Sequence, residues 1–117
     1  MTMTQNEITT RTPVWSAFSD LYLDIPVTDA ALRRIADLLS ESPYSVTELE
    51  RILFDEVHPV CRDNLRSVAG NWNGFNEPEL VQAIVAQLDR GKRFPWSDSI
   101  KAEIRELWTR LSTLLSP

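Results

Sequence analysis

A chain of 117 residues is long enough to bury one hydrophobic core and too short to divide into two independent ones. Apolar residues make up 43% and charged residues 25% of the chain, which is typical of globular proteins and excludes a disordered one. No apolar run approaches the roughly 20 residues of a transmembrane helix, and the N-terminus lacks the pattern of a secretory signal. We therefore expect one cytoplasmic domain that does not enter a membrane.

The net charge of −5 comes from the first half of the chain. Residues 1–58 hold four arginines and ten acids, whereas residues 59–117 hold eight lysines and arginines and seven acids. An acidic surface repels phosphate backbones, so no nucleic-acid partner is expected and a basic protein partner is favoured. The alternative is that the acidity only keeps the protein soluble. The single cysteine, Cys61, cannot form an internal disulfide, which agrees with a reducing compartment.

The first eleven residues carry no hydrophobic periodicity, since Ile8 is their only apolar side chain besides two methionines. Residues 1–11 are therefore predicted to form a flexible tail, and residues 12–117 a single helical domain. Thr12 followed by Pro13 is typical of a helix start, because proline tolerates the first helical position and threonine can cap it. The apolar face of this helix comprises Val14, Trp15, Phe18, Leu21 and Tyr22.

Capping residues predict the next two helices. Thr28 or Asp29 can cap a helix that ends near Ser42, and its apolar stripe comprises Leu32, Ile35, Ala36 and Leu39. Ser45 and Glu48 have the spacing of a capping box, which predicts a third helix over about 46–57. Because proline lacks the backbone N–H, His58-Pro59 is expected to stop or kink that helix. A short helix through Cys61, Leu65 and Val68 then closes at Gly70.

Two further helices complete the chain. Asn76 and Glu79 repeat the capping-box spacing, and the stripe of Leu80, Val81, Ile84 and Leu88 runs up to Gly91. The last helix begins at a serine or Asp98, with a stripe of Ile100, Ile104, Leu107, Trp108, Leu111, Leu114 and Leu115. No segment of useful length has the two-residue period of a strand. The predicted fold is therefore all-α, a compact irregular bundle of five to six helices.

Two acidic residues of the third helix are anomalous. On a helical wheel, Glu50 and Glu56 fall inside an apolar arc of roughly 200°, whereas Asp55 lies on the polar face. A carboxylate in an apolar sector must find a partner, rise in pKa or reach solvent. Each is therefore either a structural ion pair, with Arg33, Arg62 or Arg66 as partner, or part of a functional site.

The segment 55–63 gathers acids around the only histidine, His58, and the only cysteine, Cys61. Their spacing matches no metal-ligand pattern, so no metal is expected. A reactive thiolate needs an electropositive, partly exposed setting, and this segment is acidic. We interpret Cys61 as a small buried residue and His58 as a helix C-terminal residue that binds free carbonyls. With no glycine-rich phosphate loop, nucleophile elbow or nucleotide fingerprint, neither an enzyme nor a cofactor is expected.

Two predicted loops carry large aromatic side chains. Trp72 and Phe75 alternate with Asn71 and Asn73, a mixture that binding surfaces favour, and Trp96 lies in the loop 94–96. Either loop could anchor a partner protein. The alternative is that these aromatics cover the ends of the core.

Several runs resemble one protein family. They are Trp15-Ser16-Ala17, Ser42-Pro43-Tyr44-Ser45, Glu48-Leu49-Glu50, the run 52–57, Pro59-Val60-Cys61, Asn64-Leu65, the run 67–70, and Trp72, Gly74 and Phe75. Together they resemble a family of small bacterial proteins classed as a domain of unknown function, over roughly residues 15–88. The resemblance implies a short stand-alone bacterial protein without a catalytic signature.

The leading hypothesis is a protein-binding module, most concretely a toxin-neutralising immunity or antitoxin-like protein that masks a basic toxin stoichiometrically. Its predicted partner-binding residues are Glu50, Asp55, Glu56, His58, Trp72, Asn73, Phe75 and Trp96. One alternative is a small enzyme or ligand-binding protein with Glu50, Glu56, His58 and Cys61 in a pocket between helices. A third hypothesis is a purely structural subunit of an oligomer, and the sequence leaves the oligomeric state open.

Overall fold

The computed structural model describes residues 4–22, 27–65, 77–90 and 99–115. Its elements are α1 (Gln5–Ser19) with a 3-10 turn (Asp20–Tyr22), α2 (Asp29–Ser40), α3 (Val46–Ile52), a π-helical segment (Leu53–Val57), α4 (His58–Leu65), α5 (Glu77–Arg90) and α6 (Ser99–Leu115). Within these ranges every element is helical, which confirms the predicted all-α bundle. None of the described helices is long and apolar enough to cross a membrane.

Helix α1 begins well before the predicted start. Thr4 caps it: its side chain accepts the Glu7 N–H while the Glu7 carboxylate accepts the Thr4 N–H. The prediction of a flexible tail is therefore wrong for residues 4–11, because this capping box starts a helix within a polar segment and Ile8 packs against the core. Pro13 lies inside α1 instead of at its start. Residues 1–3 lie outside the described ranges.

Helices α2 and α3 confirm the predictions made from their caps. The Thr28 hydroxyl accepts the Ala31 N–H, and Ser45 and Glu48 form the complete capping box. Side-chain caps satisfy backbone N–H groups that have no partner within the helix, which is why the signal is local and readable from sequence. The predicted stripe of α2 is buried in full: Leu32, Ile35, Ala36 and Leu39.

The chain remains helical across Pro59. The segment 53–57 widens into a π turn, in which the His58 N–H bonds the Leu53 carbonyl five residues earlier. A proline ring clashes with the carbonyl four residues before it in a regular α-helix, and the residues that precede Pro59 adopt the wider π geometry. The predicted stop or kink at His58-Pro59 is therefore a change of helix type. The predicted continuation to Val68 and Gly70 lies outside the described residues.

Where the structure describes their side chains, the last two helices pack their stripes as predicted, with one exception. Leu80 and Ile84 of α5 are buried, as are Ile104, Trp108 and Leu111 of α6. Leu114 was predicted to join this stripe, but it is 46% exposed. The side chain of Ile100, also predicted in the α6 stripe, lies outside the described residues.

The core lies where three parts of the bundle meet. Helix α1 contacts α2, α5 and the π segment, and α6 contacts α2, α3 and α4. The continuous helical run 46–65 therefore lies between α1 on one side and α6 on the other. Its fully buried residues include Ile52, Leu53, Val57 and Cys61. The largest fully buried side chains of the described core are Trp15, Tyr22 and Phe18.

Candidate functional site

Glu56, in the π segment, is the only buried carboxylate among the described residues. The Trp15 indole N–H donates to its Oε1 over 2.7 Å, and the Arg11 Nε lies 3.5 Å from the same oxygen. Burial raises the pKa of Glu56, and the Trp15 hydrogen bond and the Arg11 charge oppose that rise. The balance leaves the neutral carboxyl relatively favoured at this position.

Arg11 joins this buried group to the surface of α1. Its guanidinium lies 3.4 Å from the Glu7 carboxylate one turn earlier and 5.5 Å from the centre of the Tyr44 ring. Cation–π and ion-pair contacts of this kind hold a long side chain in one position. The Arg11 side chain is therefore nearly enclosed, at 14% exposed.

Glu50, on α3, forms a hydrogen bond with a second tryptophan. The Trp108 indole N–H donates to Glu50 Oε1 over 2.9 Å, and Arg105 Nη1 lies 3.8 Å from Oε2. Unlike Glu56, this carboxylate is 47% exposed, so water competes for it. Trp108 also contacts Phe18 edge to face, with ring centres 6.1 Å apart, which links α6 to α1.

The two anomalous glutamates therefore have structural partners, but not the predicted ones. Arg11 and Arg105 take the place expected for Arg33, which is exposed on α2. Arg66 and the side chain of Arg62 lie outside the described residues. The tryptophan partners were not predicted from the sequence, although a buried indole N–H usually finds an acceptor. That requirement was the one signal that could have suggested these pairs.

His58 is buried at the junction of the π segment and α4. Its Nδ1 shares a hydrogen bond with the Tyr22 hydroxyl over 2.7 Å, and its ring lies against those of Tyr22 and Phe54. The predicted role at a helix C-terminus is wrong, because the helix continues through α4. His58 instead connects the central helix to the turn after α1.

Cys61 is fully buried, and burial raises the pKa of its thiol to about 12. A thiol in that state carries almost no thiolate at neutral pH, and the thiolate is the nucleophile. The interpretation of Cys61 as a small buried residue is confirmed. Among the described residues, no three histidine, cysteine or acidic side chains are close enough to hold a metal ion.

Of the predicted partner-binding residues, the four that the structure describes are not all at the surface. Glu50 and Asp55 are exposed, whereas Glu56 and His58 are buried. Trp72, Asn73, Phe75 and Trp96 lie outside the described residues. Sequence reasoning also missed Phe54, whose ring lies 4.2 Å from the Arg105 guanidinium carbon.

The chain belongs to a family defined as a domain of unknown function (DUF7079), whose model matches residues 9–114. This match confirms the expected relation to an uncharacterised domain family. No curated protein and no solved structure matches the chain.

Proposed function

We propose that the protein is a binding module for a basic protein partner, most concretely a bacterial toxin that it neutralises by stoichiometric masking. The observation that carries the proposal is the exposure of the acids in the first half of the chain. Of the nine described there, only Glu56 is buried, and the other eight lie at the surface: Glu7, Asp20, Asp29, Asp37, Glu41, Glu48, Glu50 and Asp55.

The same half offers few cations to offset them. Arg33, Arg34 and Arg51 are its exposed arginines, and Arg11 is largely enclosed. Two of the eight acids, Glu50 and Asp29, pair with Arg105 and Arg110 of α6, so six exposed acids remain against three exposed arginines. A surface with this excess of one sign attracts a basic partner and can raise the association rate by about 10- to 1,000-fold. Rapid capture of this kind suits an inhibitor that must reach its target before the target acts.

The contacts of these side chains weigh against the small-enzyme alternative. In the small-enzyme alternative, Glu50, Glu56, His58 and Cys61 would act together in one pocket. The carboxylates of Glu50 and Glu56 instead accept from two different tryptophans, and the Cys61 thiol has a pKa of about 12. These contacts favour a structural use of the four residues. A free cysteine also agrees with function in the reducing cytoplasm.

The proposal is tested by titrating the purified protein against each purified toxin encoded next to its gene, with calorimetry and stopped-flow kinetics. We expect one partner to bind with 1:1 stoichiometry and a Kd of about 1 μM or tighter, equivalent to about −8 kcal/mol. Binding should weaken as salt rises, because exposed charges are screened. In a growth assay, co-expression should protect cells from that toxin.

Matched double variants locate the effect. Asp37→Asn with Asp55→Asn removes two exposed carboxylates from the first half, and should lower the association rate about tenfold at low salt. Glu77→Gln with Asp89→Asn removes two exposed carboxylates from α5 and should leave the rate within about twofold. Equal rates for both variants, or no partner of micromolar affinity, would contradict the proposal.

A further inference from the structure

An open cleft of about 290 Å³ lies beside α6, next to the residues that lead into α2. Its lining residues are Val27, Glu103, Glu106, Leu107 and Arg110. Val27 and Leu107 supply an apolar floor, and both are only partly buried. The three charged residues form its polar walls, so the cleft combines an apolar base with an ionic rim.

The charge of these walls is negative in effect. Arg110 is the one cation of the lining, and its Nη2 lies 2.5 Å from the Asp29 carboxylate at the start of α2. That pair offsets the Arg110 charge, whereas Glu103 and Glu106 are exposed carboxylates one helical turn apart. A cation that enters the cleft is therefore attracted to two carboxylates.

A second feature adjoins the cleft on the same face of α6. Leu114 is one of only two large hydrophobic residues with high exposure among the described residues. It lies four residues after Arg110 and seven after Leu107, spacings that place all three on one face of a helix. The apolar floor therefore continues toward the C-terminus of α6 as an exposed leucine.

We propose that this cleft is the docking point for an arginine side chain of a basic protein partner, with an apolar neighbour of that arginine packed on Leu114. The inference rests on the proposed function and names the place at which the partner is held. The aliphatic stem of the arginine lies against Val27 and Leu107, and its guanidinium faces Glu103 and Glu106.

Size and chemistry favour this occupant. The cleft of about 290 Å³ lies at the lower end of the roughly 300–1,000 Å³ of drug-sized ligand sites, and it has room for one long side chain. An arginine buries its stem on apolar surface while its head remains polar. Its planar fork of donors also matches carboxylates in a way that the compact ammonium of lysine does not.

The test uses the full chain and an amidated twelve-residue peptide that carries arginine and leucine on one helical face. Binding is followed through the backbone amide shifts of the ¹⁵N-labelled protein. We expect shifts at Val27, Leu107 and Leu114, and a dissociation constant several-fold weaker for a peptide with lysine in place of arginine. An acidic peptide of the same length should not bind.

Three variants decide the assignment. Glu103→Gln with Glu106→Gln should weaken binding about tenfold or more, and Leu114→Ala about threefold, whereas the α5 variant Glu77→Gln with Asp89→Asn should stay within about twofold. Circular dichroism melts confirm that each variant is folded. If the α6 double variant binds like the wild type while Asp37→Asn with Asp55→Asn weakens binding, the docking site is refuted and the proposed function stands. If no peptide binds at millimolar concentration, the docking site is likewise refuted, and the toxin titration alone decides the function.

Discussion

Substitutions of Glu56 measure how much its hydrogen bond with Trp15 and its ion pair with Arg11 contribute to stability. Glu56→Ala leaves the buried Trp15 indole N–H without its acceptor and removes the carboxylate beside Arg11. An orphaned buried donor costs about 1–3 kcal/mol, and the loss of a buried ionic partner can add more. Arg11 keeps its contacts with Glu7 and Tyr44, so the second cost is small. We expect Glu56→Ala to lower the free energy of unfolding by about 2–3 kcal/mol.

Glu56→Gln is the matched variant, because its amide oxygen can still accept from Trp15. Burial already raises the pKa of Glu56, which means that the site favours a neutral group. The free energy of unfolding should therefore remain within about 1 kcal/mol of the wild-type value. Urea unfolding followed by tryptophan fluorescence measures both variants. If glutamine is as destabilising as alanine, the ion pair with Arg11, and not the Trp15 hydrogen bond, is the main contribution.

The stability of the wild type and that of Glu56→Gln should depend differently on pH. A folded-state pKa above the ordinary 4.5 means that the folded protein binds this proton more tightly than the unfolded chain does. The stability that results is present below about pH 4.5 and is lost as the pH rises through the folded-state pKa. Glu56→Gln should therefore gain stability relative to the wild type as the pH rises from about 4 to 7. A difference that moves in the opposite direction would falsify the assigned direction of the shift.

Three further predictions concern the other contacts. In urea unfolding, Trp15→Phe should destabilise the fold by about 1 kcal/mol more than Trp108→Phe, because the Glu56 left without its donor is buried whereas Glu50 reaches water. Equal losses of unfolding free energy would contradict this. Thr4→Ala should lower the free energy of unfolding by about 1 kcal/mol and increase amide hydrogen exchange in the first turn of α1, since it removes the cap. Unchanged exchange would exclude an ordered capping box in solution. Cys61 should react with a thiol reagent at pH 8 only as fast as the protein opens, because its pKa is about 12; rapid native-state labelling would show an exposed thiol.

Helices that depend on local signals could be predicted from sequence. The caps at Thr28 and Ser45 each involve residues three positions apart, and both helices begin where expected. The same signal at Thr4 and Glu7 was overlooked because the surrounding segment has no apolar stripe. Hydrophobic periodicity indicates a helix only where one face of that helix is buried. The first turns of α1 bury little beyond Ile8.

The site could be predicted only in part, because the residues that pair in it are far apart in the sequence. Two glutamates in apolar sectors and two buried tryptophans each required a hydrogen-bond partner, and this requirement is visible in the sequence. The pairing is not visible, because Trp15 and Glu56 are 41 residues apart and Glu50 and Trp108 are 58 apart. Which indole meets which carboxylate depends on how the helices pack. The π turn was also unpredictable, since proline indicates a misfit without indicating how the backbone absorbs it.

The placement of the two glutamates explains how one helix is fixed between two others. Six steps of about 100° place positions 50 and 56 about 120° apart around a regular helix, and the wider π turn increases that angle. One carboxylate therefore meets Trp15 on α1 and the other meets Trp108 on α6. Apolar packing is non-directional and tolerates rotation of a helix, whereas two hydrogen bonds on different sides allow only one orientation. That orientation keeps Asp55, which lies beside Glu56 in the chain, on the exposed side, where a basic partner can reach it.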